Sequence, residues 1–274
     1  MTQPAVTAIV VSYNTGPRLT ECLYALSADP EVAATVIVDN GNPAEMAAWI
    51  DQFVSDRASV SLIRPGENLG FGRAVNLGAK AVERGHLLVI NPDAVLRWRS
   101  VSALQDTASR VTEPWIIGGR IFDLQGREER GPRRRELTLW HAMTRVIGWN
   151  TWTMENDPAP EKPIVMPVIS GAFFLTSKIS FERLGGFDEG YFLHVEDIDL
   201  CRRCREAGGH VMYDPRAGAL HYGATADMPS KVVAGHKADG LKRYFKTYAR
   251  GPLQRALVVV LMPLMRMATL MRAR

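Results

Sequence analysis

The sequence predicts an α/β protein built on a mostly parallel sheet with helices on both faces, and three observations predict it. Four rounds of apolar strand, polar turn and amphipathic helix follow one another within about ninety residues, the rhythm of parallel strands joined by crossover helices. The strands, Leu87-Leu88-Val89-Ile90 among them, are runs of apolar residues and do not alternate with polar ones, as expected where both faces of a sheet are covered. Each strand ends in a polar or glycine-rich turn: Ser12 to Asn14, Asp39 to Asn42, Asn68 to Arg73, and Asn91 to Asp93. Those turns share one edge of the sheet, where ligands of open α/β sheets bind, and form the walls of a nucleotide site.

Taken in order, the first strand covers 6–12 and breaks at Tyr13-Asn14-Thr15-Gly16-Pro17, after which Leu19, Cys22, Leu23 and Leu26 recur at helical spacing. The second strand runs from 34 to 38, and Met46, Trp49, Ile50 and Phe53 mark the helix after it. The third covers 60–63 and leads into Asn68-Leu69-Gly70-Phe71-Gly72-Arg73. Gly70 and Gly72 match two glycines of the dinucleotide fingerprint, but the third place falls at Val75 and the turn follows the third strand, so a dehydrogenase fits poorly. The two glycines either let backbone pass close to a ligand or start the helix. The fourth strand delivers Asp93 to the sheet edge, a turn aspartate or a ligand for a divalent cation under a diphosphate. A helix with Val101, Leu104 and Ala108 follows, then strands over 115–122 and 165–175. Residues 127–163 mix Arg, Pro, Trp140, Trp149 and Trp152 without period, as loops around an acceptor site do. Within them Arg133-Arg134-Arg135 reads as a solvated face, with a phosphate contact the alternative.

Composition bounds the class. The chain has 274 residues, 46% hydrophobic, enough for a substantial core. Met1-Thr2-Gln3-Pro4 shows no secretory signal, and three cysteines are too few for a disulfide framework; both point to the cytoplasm. Residues 231–274 hold ten Lys or Arg against one acid, Asp239, a local balance of +9 in a chain of +4, so the first 230 carry −5. A basic tail on an acidic body points to an anionic surface, with no nucleic-acid groove through the fold.

The run Gly185-Gly186-Phe187-Asp188-Glu189 through His194-Val195-Glu196-Asp197 completes the pattern. With Val11-Ser12-Tyr13-Asn14, Val38-Asp39-Asn40 and Asn91-Pro92-Asp93, it closely resembles the inverting, nucleotide-sugar-dependent glycosyltransferases of family 2, in particular their rhamnosyltransferase-like branch, over roughly residues 5–250. The resemblance implies the GT-A fold, a Rossmann-like sheet flanked by helices. It implies that Asp39 contacts the nucleotide base or ribose beside Ser12 and Tyr13, and that Asn91-Pro92-Asp93 stands where the family has a metal-binding Asp-any-Asp. With Asn91 in the first place, Asp93 carries most of the ligation of Mg²⁺ or Mn²⁺, and His221 is similar to a late histidine that adds a further ligand. Asp197 matches the general base. The chemistry independently suits these residue types: a departing diphosphate needs its charge neutralised, and an attacking hydroxyl needs one carboxylate to take its proton. If a helix starts near Glu196, Asp197 shares a face with Cys201 and Cys204, and its free N–H groups favour an anion; the plain alternative is a helix-start carboxylate.

Cys201-Arg202-Arg203-Cys204 has no second pair and reads as buried packing, not as a zinc or redox site. His194 either faces the acceptor or is a loop histidine. The organisation expected is a GT-A domain over 1–230, its donor half 1–125 and acceptor half 126–230, and a basic amphipathic helical extension over 231–274. The apolar run 256–265 is ten residues with Pro263 among them, too short to span a bilayer; it lies in an anionic membrane interface, or packs on the domain or on a second copy. The function expected is transfer of a sugar, with dTDP-rhamnose the leading donor, to a saccharide or lipid-linked saccharide in polysaccharide synthesis. Its rivals are UDP-galactose or UDP-glucose as donor, and a catalytically silent assembly subunit.

Overall fold

The computed structural model describes residues 3–146, 152–223 and 229–272; Trp149 and Ala224-Thr225 lie outside them. Among the described residues nine strands form one sheet: β1 (Val6–Ser12), β2 (Ala34–Asp39), β3 (Val60–Ile63), β4 (His86–Ile90), β5 (Ala94–Leu96), β6 (Trp115–Phe122), β7 (Ile164–Val165), β8 (Phe173–Ser177) and β9 (His210–His221). Between them come helices α1 (Arg18–Ala28), α2 (Ala44–Ser55), α3 (Phe71–Lys80), α4 (Ser100–Ala108), α5 (Leu139–Val146), α6 (Lys178–Arg183) and α7 (Glu196–Glu206), and α8 (Ser230–Tyr248) and α9 (Gly251–Arg272) end the chain.

The strand order is β3-β2-β1-β4-β8-β6-β9-β5, with β7 beside β9. The first four strands are parallel, as the alternation of strands and helices demands. Alternate residues of β1 point to opposite cores: Ile9 and Val11 join one apolar cluster with α3, α7 and α8, and Ala8 and Val10 join the other beneath α1, α2 and α4. Both faces are therefore dry, which is why the strands read as unbroken apolar runs.

Beyond β4 the sheet departs from the expected pattern. β8 inserts antiparallel between β4 and β6, so the sheet is mixed. A strand buried on both faces carries no residue pattern that distinguishes the two directions. The expected strand over 165–175 is two shorter ones, β7 and β8, with Ser170-Gly171 in the loop between them. β9 is twelve residues long, and accommodates Pro215 where its register with β6 jumps from Gly119↔Asp214 to Arg120↔Gly218; a bulge spares the ladder the missing N–H. Asn91-Pro92-Asp93 does not lead straight to a helix. It is a corner between β4 and β5, closed by the Ala94 N–H donating to the Asn91 carbonyl (3.1 Å), and β5 pairs with the end of β9, Ala94 opposite His221.

The glycine-rich turn starts α3, with Gly70 at its N-cap, as one of the two expectations had it, and has a further role. Gly70 has φ +77° and ψ 177°, a region essentially closed to other residues, and a Cβ there would lie 2.3 Å from the Phe192 carbonyl oxygen. The Phe71 N–H donates to that same carbonyl (2.9 Å). Further along α3, Asn76 receives the Phe187 N–H and donates to the Phe187 carbonyl, both at 2.9 Å. The turn and helix thus clamp the Gly-Gly-Phe-Asp segment against the sheet edge. Gly70→Ala should lower stability by about 1–3 kcal/mol from backbone strain alone, read as a drop in the thermal unfolding midpoint; an unchanged midpoint would contradict this contact.

α9 is one helix of 22 residues with Pro263 inside it, not the short apolar run expected. It is long and apolar enough to cross a membrane by length and composition. Val258, Met262 and Met265 are nevertheless buried in the core cluster that holds Tyr244 and Phe245 of α8, while Leu253, Val260, Leu264 and Met267 are exposed.

Candidate active site

The four polar turns converge on a cleft of about 990 Å³. Tyr13, Asn40, Asn68, Gly70, Asn91 and Asp93 line its sheet side, Glu196 and Asp197 enter from the start of α7, and α8 and α9 form the far wall with Leu241, Met265 and Thr269.

On the sheet side the turns are tied to one another. The Asn40 side chain donates to Asn68 Oδ1 (2.8 Å) and receives the Leu69 N–H (2.9 Å), joining the turns after β2 and β3. Asp39 Oδ1 receives Asn42 Nδ2 (2.8 Å), and its Oδ2 is paired with Arg64 Nε at 2.9 Å. Burial would raise the Asp39 carboxyl, but Arg64 and Asn42 outweigh it and hold the pKa below the ordinary value. Ser12 is buried and bonded to Thr15 and Asn42. Ser12 and Asp39 therefore stand just behind the lining, where they shape the turn that carries Tyr13. Arg73 is on the outer side of α3, 3.6 Å from Glu189, and does not line the cleft.

At the β4–β5 corner Asp93 is buried and its Oδ1 lies 3.1 Å from His221 Nε2, a meeting made by the pairing of β5 with β9. On its other side His221 Nδ1 contacts Glu129 at 3.0 Å, and Asn91 Nδ2 lies 3.4 Å from Nε2. Burial disfavours charge on the imidazole, yet hydrogen bonds to Asp93 and Glu129 more than offset this and raise its pKa to about 10. The donor set suits a hard divalent cation. Asp93 and His221 bring a carboxylate oxygen and an imidazole nitrogen to one point of the cleft wall, donor types that would hold Mg²⁺ or Mn²⁺. Glu129, which sequence reasoning missed, would then hold Nδ1–H and leave the Nε2 lone pair for the ion. Among the described residues no group of three His, Cys, Asp or Glu is arranged to enclose a metal by itself, so a cation here would draw further ligands from a diphosphate and water.

Opposite, His194 (φ +68°) and Val195 (φ +76°) hold left-handed backbone immediately before α7. A β-branched residue in that region is costly, and the bend turns Glu196 and Asp197 into the cleft. Asp197 Oδ1 receives the Ile198 N–H (2.8 Å) and Oδ2 the Gly171 N–H (3.0 Å). Arg134 Nη2 contacts Oδ2 at 2.5 Å. Burial pushes the Asp197 carboxyl up, but the Arg134 charge and these hydrogen bonds hold it below the ordinary range. Glu196 is driven the other way, by burial and then by the Asp197 charge, and its Oε2 has no hydrogen-bond partner. The two neighbours thus differ: their surroundings favour the charged form of Asp197 and the neutral form of Glu196.

Arg133 and Arg134 are not the solvated face expected. Both are buried, Arg133 forking onto Glu128 (2.8 and 2.9 Å) and Arg134 donating from Nη2 alone to Asp197 Oδ2; of the three, only Arg135, paired with Asp157, is exposed. Cys201 and Cys204 are buried, and burial raises each thiol to about 12, so both are packing residues.

A model of glycosyltransferase-like family 2 matches residues 4–250. An N-acetylglucosaminyl-diphospho-decaprenol L-rhamnosyltransferase of Mycobacterium tuberculosis is 33% identical over 252 residues, covering 84% of this chain and 81% of that one. Rhamnosyltransferase WbbL of Escherichia coli is 25% identical over 225 residues, 78% and 82% of the two chains. Among solved structures, GalNAc-T7 with UDP, GalNAc and Mn²⁺ superposes with a TM-score of 0.70 at 15% identity, over 98% of this chain and 55% of that one. At that identity the likeness concerns the fold, which is the GT-A arrangement; this chain spans just over half of the larger protein.

Proposed function

We propose that this chain, which belongs to glycosyltransferase-like family 2 and so to the sugar-transferring enzymes, performs an inverting transfer aided by Mg²⁺ or Mn²⁺, with dTDP-rhamnose as donor and a lipid-linked saccharide as acceptor. One observation carries this reading: Asp93, His221 and Asp197 line a single cleft, a cation pair and an ionised carboxylate in one space. The names of the two rhamnosyltransferase relatives support the rhamnose, the family resemblance its dTDP carrier, and the first relative's name the acceptor class.

Tyr13, Asn40 and Asn68 flank the nucleotide, with Ser12, Asp39 and Arg64 bracing the turns behind them. Asn91, Asp93 and His221 face the diphosphate, and a bound cation there supplies charge neutralisation for the leaving group. Asp197 takes the proton of the acceptor hydroxyl as that oxygen bonds the anomeric carbon from the opposite face. No covalent sugar–enzyme intermediate is needed, and the configuration inverts.

The test is release of nucleoside diphosphate from dTDP-rhamnose, UDP-galactose, UDP-glucose and related donors, with Mn²⁺ or Mg²⁺, with and without a prenyl-diphosphate-linked N-acetylglucosamine. Acceptor-dependent release from dTDP-rhamnose, abolished by EDTA, is expected. Release from another donor alone would replace the rhamnose assignment, and none from any donor would sink the function.

We place the protein on the cytoplasmic face of the membrane. α9 turns Leu253, Val260, Leu264 and Met267 outward while Met265 and Thr269 line the cleft, so a helix lying in the interface would bring a lipid-linked acceptor to the site. The basic extension would add attraction to anionic lipid. Val260→Asp with Leu264→Asp should abolish co-sedimentation with anionic liposomes; unchanged sedimentation would count against this placement.

A further inference from the structure

The segment from Asp188 to Val195 ends in the left-handed backbone that precedes Asp197, and it is gripped from two sides. On the sheet side the Phe71 N–H donates to the Phe192 carbonyl (2.9 Å). On the other side lies α8. Arg243 forks onto Asp188, Nε to Oδ2 at 3.0 Å and Nη2 to Oδ1 at 2.9 Å, and its guanidinium carbon is 5.4 Å from the centre of the buried Tyr191 ring. Gly190 admits the guanidinium, since a Cβ there would overlap it. Asp188 also closes the turn itself, its Oδ1 receiving the Gly190 N–H (2.9 Å) and its carbonyl the Tyr191 N–H (3.2 Å). About one turn earlier in α8, Gly240 faces the strained pair directly: a Cβ there would stand 2.9 Å from the His194 carbonyl oxygen and 3.1 Å from Val195 Cγ2. A further turn back, the His236 ring stacks on Phe192 with centres 4.4 Å apart. Positions 236, 240 and 243 share one stripe of the helix. Past that stripe the Tyr248 hydroxyl donates to Asp199 Oδ1 (2.7 Å), in the first turn of α7.

We propose that α8 is the positioning element of the base: Arg243 and Gly240 hold the segment from Asp188 to Val195 in the bend that presents Asp197 to the acceptor hydroxyl. This inference rests on the proposed transfer, and it makes the C-terminal extension a working part of the site as well as its far wall. Left-handed backbone at a β-branched residue persists only where its surroundings over-determine it, and at Val195 the face of α8 around Gly240 is that surrounding. Arg243 acts through Asp188, and Gly240 through His194 and Val195; both are positioning residues. The turns that carry Asn40 and Asn68 are held by bonds among themselves. A segment released from α8 therefore misplaces Asp197 while the nucleotide side keeps its shape, so the loss falls on turnover and spares donor binding. The side chains of Arg243 and Asp188 are 44% and 29% exposed, and a pair so placed adds little to global stability. Its removal leaves the fold in place.

The test uses the full-length enzyme with dTDP-rhamnose and prenyl-diphosphate-linked N-acetylglucosamine. Gly240→Ala should lower kcat about 100-fold, the cost of misplacing a reacting group by about 1 Å, and Arg243→Ala about tenfold, each with the donor KM of the wild type. Alanine is the better helix former, so a rate lost in Gly240→Ala does not come from a weaker α8. If Gly240→Ala does not fold, Arg243→Ala carries the test by itself. Hydrogen exchange provides a second readout that needs no substrate: the Gly190 and Tyr191 amides, both bonded to Asp188, should exchange about tenfold faster in Arg243→Ala while those of β1 to β4 keep their wild-type rates. A wild-type kcat in Arg243→Ala, a donor KM that rises as kcat falls, or unchanged exchange at 190 and 191 overturns the inference. A wild-type chain that transfers to no acceptor sinks the proposed function instead, and the exchange rates then still decide whether α8 holds the segment, so the two failures are distinct.

Discussion

Asp197→Asn should slow sugar transfer by roughly 10²–10⁴-fold while donor binding persists. Asparagine fills the same space, but with one oxygen in place of two it keeps only one of the Gly171 and Ile198 N–H bonds, and its amide takes no proton from a hydroxyl. It also leaves Arg134 without its carboxylate, and breaking such a buried pair costs about 3–5 kcal/mol. Thermal unfolding must therefore accompany the rate measurement, at a temperature where the variant stays folded. Glu196→Gln supplies the contrast. Burial and the Asp197 charge already hold that carboxyl up in its neutral form, and a neutral amide resembles it closely, so its rate should remain nearer the wild type. Full activity in Asp197→Asn, or a greater loss in Glu196→Gln, would remove Asp197 from the role of base.

The second large effect belongs to the β4–β5 corner. Asp93→Ala should abolish cation-dependent transfer and weaken Mn²⁺ binding, measured calorimetrically with UDP or dTDP present, by more than Asn91→Ala does. Asp93 contributes a charged oxygen 3.1 Å from His221 Nε2, whereas Asn91 contributes a neutral amide at 3.4 Å. Glu129→Gln should fall between them, about 10–100-fold in cation affinity, the usual cost of losing a carboxylate that orients a ligating histidine. Equal Mn²⁺ affinity in Asp93→Ala and Asn91→Ala would refute the assignment.

How much of this was legible in the residues depended on distance along the chain. β1 to β4 and their helices were visible because each carries its burial as an apolar pattern within its own few residues. β8 was visible as an apolar run, but its direction is set by where the chain returns to the sheet. Asp93, Asp197 and His221 were found through motif resemblance, and the cleft brings them together. Arg134 and Glu129 were hidden in a charge run, because a run of arginines looks solvated until its partners are known. Asp197 is 63 residues from Arg134, and His221 is 92 from Glu129. α9 was misjudged for a local reason: Arg255 and Arg266 bounded a ten-residue apolar run, yet one helix continues past both and through Pro263.

The pairing of Ala94 with His221 has a consequence for how the protein matures. Asn91 and His221 are 130 positions apart, and a slip of one residue between β5 and β9 would turn the imidazole to the opposite face of the sheet. A chain emerging from the ribosome can shape its nucleotide turns long before β9 exists, because domains assemble from the N-terminal side. Until the last strand docks in register, that nascent chain holds half of the proposed cation site beside the proposed nucleotide pocket. On the proposed function, competence to transfer a sugar therefore arrives late, and cation affinity would read out a finished fold.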